Sequence, residues 1–149
     1  MNGCDNNSDN SIFDLYKSAD RKDQHSFSNP HEALITHLHL DLTADFASKK
    51  LFGTATFDIE SENAEEIIMD TRYLKIKKVS SNSNENIAFL LDADVPYLGQ
   101  ALHIPIDDKA NKITIEYETT ENSSALQWLS AEQTTDKKSP FLLRKVRLY

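Results

Sequence analysis

From His25 onward the chain alternates apolar and polar residues, run after run, with a period of two. Such a period sends successive side chains to opposite faces, so it builds half-buried strands and not helices. In 34–46, Leu38, Leu40, Leu42 and Phe46 share one face, and His37, His39, Asp41, Thr43 and Asp45 share the other. After a polar break at 47–50 the alternation resumes, with Ala55, Phe57 and Ile59 expected inward and Thr54, Thr56 and Asp58 outward. Gly53 inside that run predicts a bulge or a close backbone approach. Further strands are read at 67–71, 74–79, 87–91, 102–106 and 113–117. Pro105 cannot donate to a ladder, so its strand is expected at a sheet edge. The stretches 80–86 and 92–99 read as loop and turn. The result is about seven short strands and no helical run between them. Parallel strands would need crossover helices, so the pattern predicts an antiparallel all-β sandwich.

Composition narrows the function classes. A chain of 149 residues and 16.9 kDa has room for one domain. Sixteen Lys and Arg against 24 Asp and Glu leave a net charge of -8. Nucleic acid is therefore not an expected partner, because phosphate binding needs a basic face. A single cysteine excludes an internal disulfide framework and a multi-thiolate metal site. Three glycines exclude the usual glycine-rich phosphate loops. No window approaches the roughly 18 apolar residues of a membrane helix.

Candidate chemistry is sparse. His37 and His39 point to the same side of one strand and could share a zinc ion if a third ligand joined them. The plainer reading is a polar, solvent-facing strand surface, and it extends to His25, His31 and His103. The helical zinc motif His-Glu-x-x-His does not occur in the sequence. Asp92, Asp94, Asp107 and Asp108 could suggest calcium, but the Asp-x-Asp-x-Asp-Gly loop is missing and turns favour aspartate anyway. No Gly-x-Ser-x-Gly elbow marks a nucleophile. No catalytic, cofactor-binding or metal-binding residue is assigned in this chain.

The two ends differ from the middle. Residues 1–24 read as a disordered or loosely docked tail, with Ile12, Phe13, Leu15 and Tyr16 as a short apolar patch. Cys4 fits a lipid-bearing cysteine on a flexible tether, in a cell-envelope protein, if an apolar signal segment precedes it. Otherwise it is a free thiol on a cytoplasmic chain. Near the other end, 125–133 is expected to form a short helical turn, with Ser130 as an N-cap for the residues after it. Trp128 with Leu126 and Leu129 reads as a small satellite core.

Several segments resemble the leukotriene A(4) hydrolase-like zinc aminopeptidases of the M1 peptidase family. They are 25–30 (HSFSNP), 36–42 (THLHLDL) and 53–56 (GTAT). Met69-Asp70-Thr71-Arg72-Tyr73-Leu74 is similar to that family's Leu-Asp-Thr-Arg-Asp-Leu type of strand and turn. The most specific run is Ser123-Ser124-Ala125-Leu126-Gln127-Trp128-Leu129, followed by Glu132 and Gln133. The resemblance covers 25–143 and implies an amino-terminal, saddle-like β-sandwich domain. It also implies that the zinc ligands and catalytic glutamate lie in a following helical domain, so the family's zinc maps to no position here. A catalytic aminopeptidase domain is then the implied partner. A chain without it is expected to expose an apolar patch near Trp128 and 141–143, through which copies could associate. The alternative is a stand-alone β-sandwich interaction module, tethered to a membrane through Cys4.

The segment 144–149 departs from the family. There the family runs into Gln-x-Gln-Ala, whose glutamines line the pocket for the substrate amino terminus. Lys145 and Arg147 stand in their place, and a cation would repel a substrate ammonium group. Codons for Phe-Leu-Phe-Thr-Gln-Ser-Gln-Ala-Ile become those for Phe141 to Tyr149 when one T is lost from the run. A frameshifted amino-terminal domain is therefore the expectation for this end, and the DNA after Tyr149 tests it.

Overall fold

The computed structural model describes residues 23–123 and 126–144. Within them, strands β1 (Ala33–Asp45), β2 (Lys50–Ser61), β3 (Glu66–Thr71) and β4 (Leu74–Ser81) come first. They are followed by β5 (Leu90–Leu91), β6 (Gln100–Pro105), β7 (Lys112–Thr119), β8 (Leu126–Leu129) and β9 (Phe141–Arg144). Every pairing is antiparallel. A four-stranded sheet runs in the order β1-β2-β7-β4, a three-stranded sheet in the order β3-β6-β5, and β8 pairs with β9 as a hairpin. The only helical element among the described residues is a single 3-10 turn, Ala131–Gln133.

The two larger sheets face each other across one apolar layer. Ile59, Val79, Ile113 and Ile115 come from the four-stranded sheet, and Ile67, Met69, Leu102 and Ile104 from the other. Ile67, Leu102, Ile104, Ile113 and Val79 are the largest fully buried side chains. Leu102, Ile104, Ile113 and Ile115 sit on the face that the period of two assigned to them, whereas Val79 turns inward only because the register shift between Ile76 and Lys78 reverses the alternation of β4. The antiparallel β-sandwich expected from the sequence is therefore the fold.

The inward rows are not covered evenly. Leu38 pairs with Phe57, which pairs with Ile113, so the three lie in one row across β1, β2 and β7. Ile113 is fully buried, Phe57 is half-buried and Leu38 is 45% exposed. The start of β1, Ala33 and Leu34, is buried with the core, but from Leu38 onward the inward face of β1 lies open. Leu38, Leu40 and Leu42 are thus less buried than the alternation predicts. The pattern reports which face a residue takes, not whether a second layer reaches it.

Three local expectations need amendment, and that for Gly53 resolves to one of its two alternatives. Pro105 is not in an edge strand, because β6 lies between β3 and β5. Ile106 donates to Glu65 across to β3, while Ala101 accepts from Asp92 on the β5 side. By alternation the Pro105 nitrogen faces β5, which is only two residues long and pairs no further than His103. The missing donor falls beyond the end of its neighbour, where no bond is needed. The strand read at 87–91 shrinks to Leu90–Leu91, with Ile87 held instead by its own N–H on Val79 O at 2.9 Å.

The segment 125–133 is a strand before it is a turn. Trp128 pairs with Leu142 and Leu129 with Phe141, so its partner lies some residues downstream, where local pattern gives no hint of it. Ser130 does precede the 3-10 turn, with its N–H on Gln133 Oε1 at 3.0 Å and its hydroxyl on Glu132 Oε2 at 2.6 Å. Gly53 is a close approach and not a bulge. It has φ of +149°, and a Cβ there would stand 2.1 Å from Asp41 O. The expectations for the tail up to residue 22, for Cys4, for Ser124 and Ala125, and for Lys145 and Arg147 fall outside the described residues.

Candidate functional site

Where the inward face of β1 lies open, a cleft of about 550 Å³ separates the two sheets. Leu38, Leu40 and Leu42 supply one wall, and Phe57 and Tyr117 the floor. The opposite wall is the end of β3 with the turn into β4, from Met69 to Tyr73. A mostly apolar concavity of this size with a few polar groups at its rim is the usual form of a binding site.

The rim is built by Asp70, Thr71 and Arg72. Asp70 accepts from Ser26 Oγ at 2.6 Å and from the Phe27 N–H at 2.8 Å, which ties the incoming chain to the end of β3. Thr71, only 7% exposed, donates its hydroxyl to Gln100 O at 3.1 Å. Arg72 donates to Tyr97 O at 3.1 Å and lies over the Tyr73 ring at 5.1 Å, a cation–π contact. Tyr73 has φ of +56°, and its carbonyl accepts from Thr120 N–H, Thr120 Oγ1 and Ser123 Oγ. Gly99 closes the arrangement. A Cβ there would stand 2.3 Å from Thr71 O, so the loop can lie on this turn only as glycine. These residues therefore position backbone around the cleft.

The hairpin carries the rest of the sequence signature. Trp128 meets Phe46, just past the end of β1, edge to face at 5.3 Å between centroids. Aromatic rings prefer that arrangement, since the positive edge of one meets the negative face of the other. Leu126 lines the cleft, and Gln127 points to solvent. Glu132 and Gln133 serve the local turn. The Ser130 hydroxyl holds the Glu132 carboxyl below the ordinary carboxylate range. Around the hairpin, Phe46, Phe141 and Leu143 are exposed.

The structure also assembles a cluster that sequence spacing could not show. His103 lies between two carboxylates, with Nδ1 3.1 Å from Glu66 and Nε2 3.3 Å from Asp92. Burial disfavours its charged form, but the hydrogen bonds and charges of Glu66 and then Asp92 outweigh burial and raise its pKa. The partners stand on β3 and just after β5, either side of β6. They are 37 and 11 residues away in sequence, so only the sheet order brings them together.

The other candidates stay apart. His37 pairs with Asp58 and His39 with Thr56 on the outer face of the four-stranded sheet. Asp58 there is taken by Lys112, whose hydrogen bond holds its carboxyl below the ordinary range. Asp107 accepts from Lys109 N–H and Ser83 Oγ within its own turn region. Among the described residues no group of three or more His, Cys, Asp or Glu is placed to hold a metal ion.

Comparison with known proteins places this fold. No family model matches the chain. It is 31% identical over 129 residues to a leukotriene A-4 hydrolase homolog of Botryotinia fuckeliana and 33% identical over 127 residues to leukotriene A-4 hydrolase of Xenopus laevis. Those matches span 81% and 80% of this chain, but only 20% and 21% of the relatives. Among solved structures it resembles yeast LTA4 hydrolase in complex with Bestatin, with a TM-score of 0.75 and 26% identity over 83% of this chain and 20% of that one. The fold thus defines the class as an antiparallel β domain corresponding to the amino-terminal portion of a longer protein. The relatives it matches are named leukotriene A-4 hydrolase and leucine aminopeptidase 2, and the chain is similar to one portion of them. The chain spans about a fifth of the length of the relatives it matches.

Proposed function

We propose that the chain is the non-catalytic β domain of a zinc aminopeptidase of this family, packing against a catalytic domain and helping to wall its peptide cleft. One observation carries the reading. A chain that matches a fifth of its relatives keeps large apolar side chains uncovered on the β1 flank and the hairpin, including Leu38, Phe46, Phe141 and Leu143. Large apolar side chains left exposed in this way favour a contact surface. The domain itself supplies scaffold and contact surface, and the metal-activated water of peptide hydrolysis is the work of the partner domain.

The test uses a chromogenic aminoacyl amide with added zinc. The chain alone is expected to give no turnover. Added to a separately produced catalytic portion of the Xenopus laevis relative that lacks its own matching segment, it is expected to restore hydrolysis. Turnover by the pure chain refutes the non-catalytic reading, and failure to bind the catalytic portion refutes the docking.

A further inference from the structure

An antiparallel sheet ends in strands whose outer N–H and C=O groups can pair with another chain, and proteins blunt such edges with charge, bulges, brevity or cover. Three of the four edges of the two packed sheets are blunted. The outer strand β4 carries Lys75, Lys77 and Lys78 and a register shift between Ile76 and Lys78. The outer strand β5 is two residues long. The outer strand β3 is covered by Asn29, whose side-chain amide donates to Glu66 O and accepts from Ile68 N–H. The fourth edge, β1, is the least protected of the four. It is 13 residues long, holds no lysine and no proline, and has its one register shift at Ile35/His37. From Leu38 to Asp45 it is regular, and among the described residues it has a strand partner on one side only.

We propose that this edge is a self-association surface, on which β1 of a second copy pairs antiparallel to join two four-stranded sheets into one of eight. The sequence of β1 is complementary to itself in that orientation. A two-fold axis at Leu40 sets Leu40 opposite Leu40 of the other copy and Leu38 opposite Leu42. On the other face the same register sets His39 opposite Asp41 twice, so each imidazole N–H meets a carboxylate. Both rows are the kind of cross-strand pair that stabilises sheets. An axis one residue further on would oppose Asp41 to Asp41, which like-charge repulsion disfavours. The leucine row is the one left open on the inward face, so pairing also covers the 45% exposed Leu38. This association does not require docking to a catalytic domain, and the hairpin face stays free in it.

Sedimentation equilibrium of the full chain, from micromolar to millimolar, is expected to show a monomer of 16.9 kDa passing to twice that mass. Asp41→Lys replaces both carboxylates opposite His39 with cations, at an exposed position where the fold itself is not engaged. It is expected to weaken the dimer about tenfold or more. In a Cys4→Ser background, Leu40→Cys is expected to give a disulfide-linked dimer on oxidation, which the Cys4→Ser parent does not. A chain monomeric throughout overturns the proposal. So does a dimer indifferent to Asp41→Lys, or one lost instead on Phe141→Ser, which would put the contact on the hairpin. A dimer that forms while Leu40→Cys fails to cross-link overturns the register.

Discussion

The β7 flank and the β1 flank of the same sheet carry equally apolar inward residues, yet they have different fates. On the β7 flank Val79 and Ile113 are fully buried under Leu102 and Ile104. On the β1 flank Leu38 is exposed and Leu40 and Leu42 are half-buried over a cleft. Local sequence makes both flanks the same kind of strand. What separates them is the second layer, which packs on Val79 and Ile113 but stands off from Leu38, Leu40 and Leu42 across the cleft. The covered flank holds the domain together, and the open one is available for contact.

That contrast breaks most readily at Ile113. Ile113→Ala is expected to cost about 2–5 kcal/mol, because the removed side chain leaves a cavity between two sheets that can only partly close. Urea unfolding measures it, and a loss below about 1 kcal/mol would mean that the covered flank is not the core. Gly99→Ala comes next, at about 1–3 kcal/mol, since φ of +96° and the 2.3 Å approach to Thr71 O leave no room for a methyl group. If it is neutral in the same assay, the loop does not rest on the cleft rim. Phe46→Ala removes the ring that Trp128 meets and should cost about 0.5–1.5 kcal/mol. Trp128 is the chain's one tryptophan, so its fluorescence should shift to the red in the variant. Unchanged emission would detach the hairpin from the β1 flank.

His103 gives a smaller, pH-dependent effect. Its pKa is raised in the folded state from an ordinary 6.5 by Glu66 and Asp92, against the opposing influence of burial. The stability this contributes is full below the unfolded value and disappears as pH rises through the raised one. With side chains 23% to 50% exposed in these pairs, about 0.2–1 kcal/mol is expected. The gap between the parent and His103→Gln in urea midpoints should therefore narrow from mildly acidic to mildly basic pH, and a gap that widens would reverse the assignment. Leu38→Ala should do least, below about 1 kcal/mol, although Leu38 shares its row with Ile113. Equal losses at the two positions would erase the distinction between the flanks.

The sequence makes legible whatever depends on neighbours two residues apart. Ile113 and Ile115 on β7, and Leu102 and Ile104 on β6, could be assigned to one face without knowing their partners. Long-range pairing was less accessible. The strand character of Leu126–Leu129 comes from Phe141–Arg144, and a WL pair followed by a serine reads equally well as the start of a turn. Pro105 misleads for a related reason, since proline excludes a bond on one side only and the strand on that side happens to be short. The sequence signature at 70–72 was visible as a motif. Its physical work as a set of backbone ties, by Asp70 to Ser26 and Phe27 and by Arg72 to Tyr97, was not. The His103 cluster had no local signal at all.

The Tyr73 carbonyl receives three donors from the exit of β7, about fifty positions further along the chain. It works as a hinge pin fixed open. The residue's own left-handed turn points the oxygen, and Thr120 and Ser123 must aim at it. The chain beyond Thr120 leaves the sandwich with a heading set by that one oxygen, so an error at Tyr73 would be magnified with distance, like a misaligned rudder.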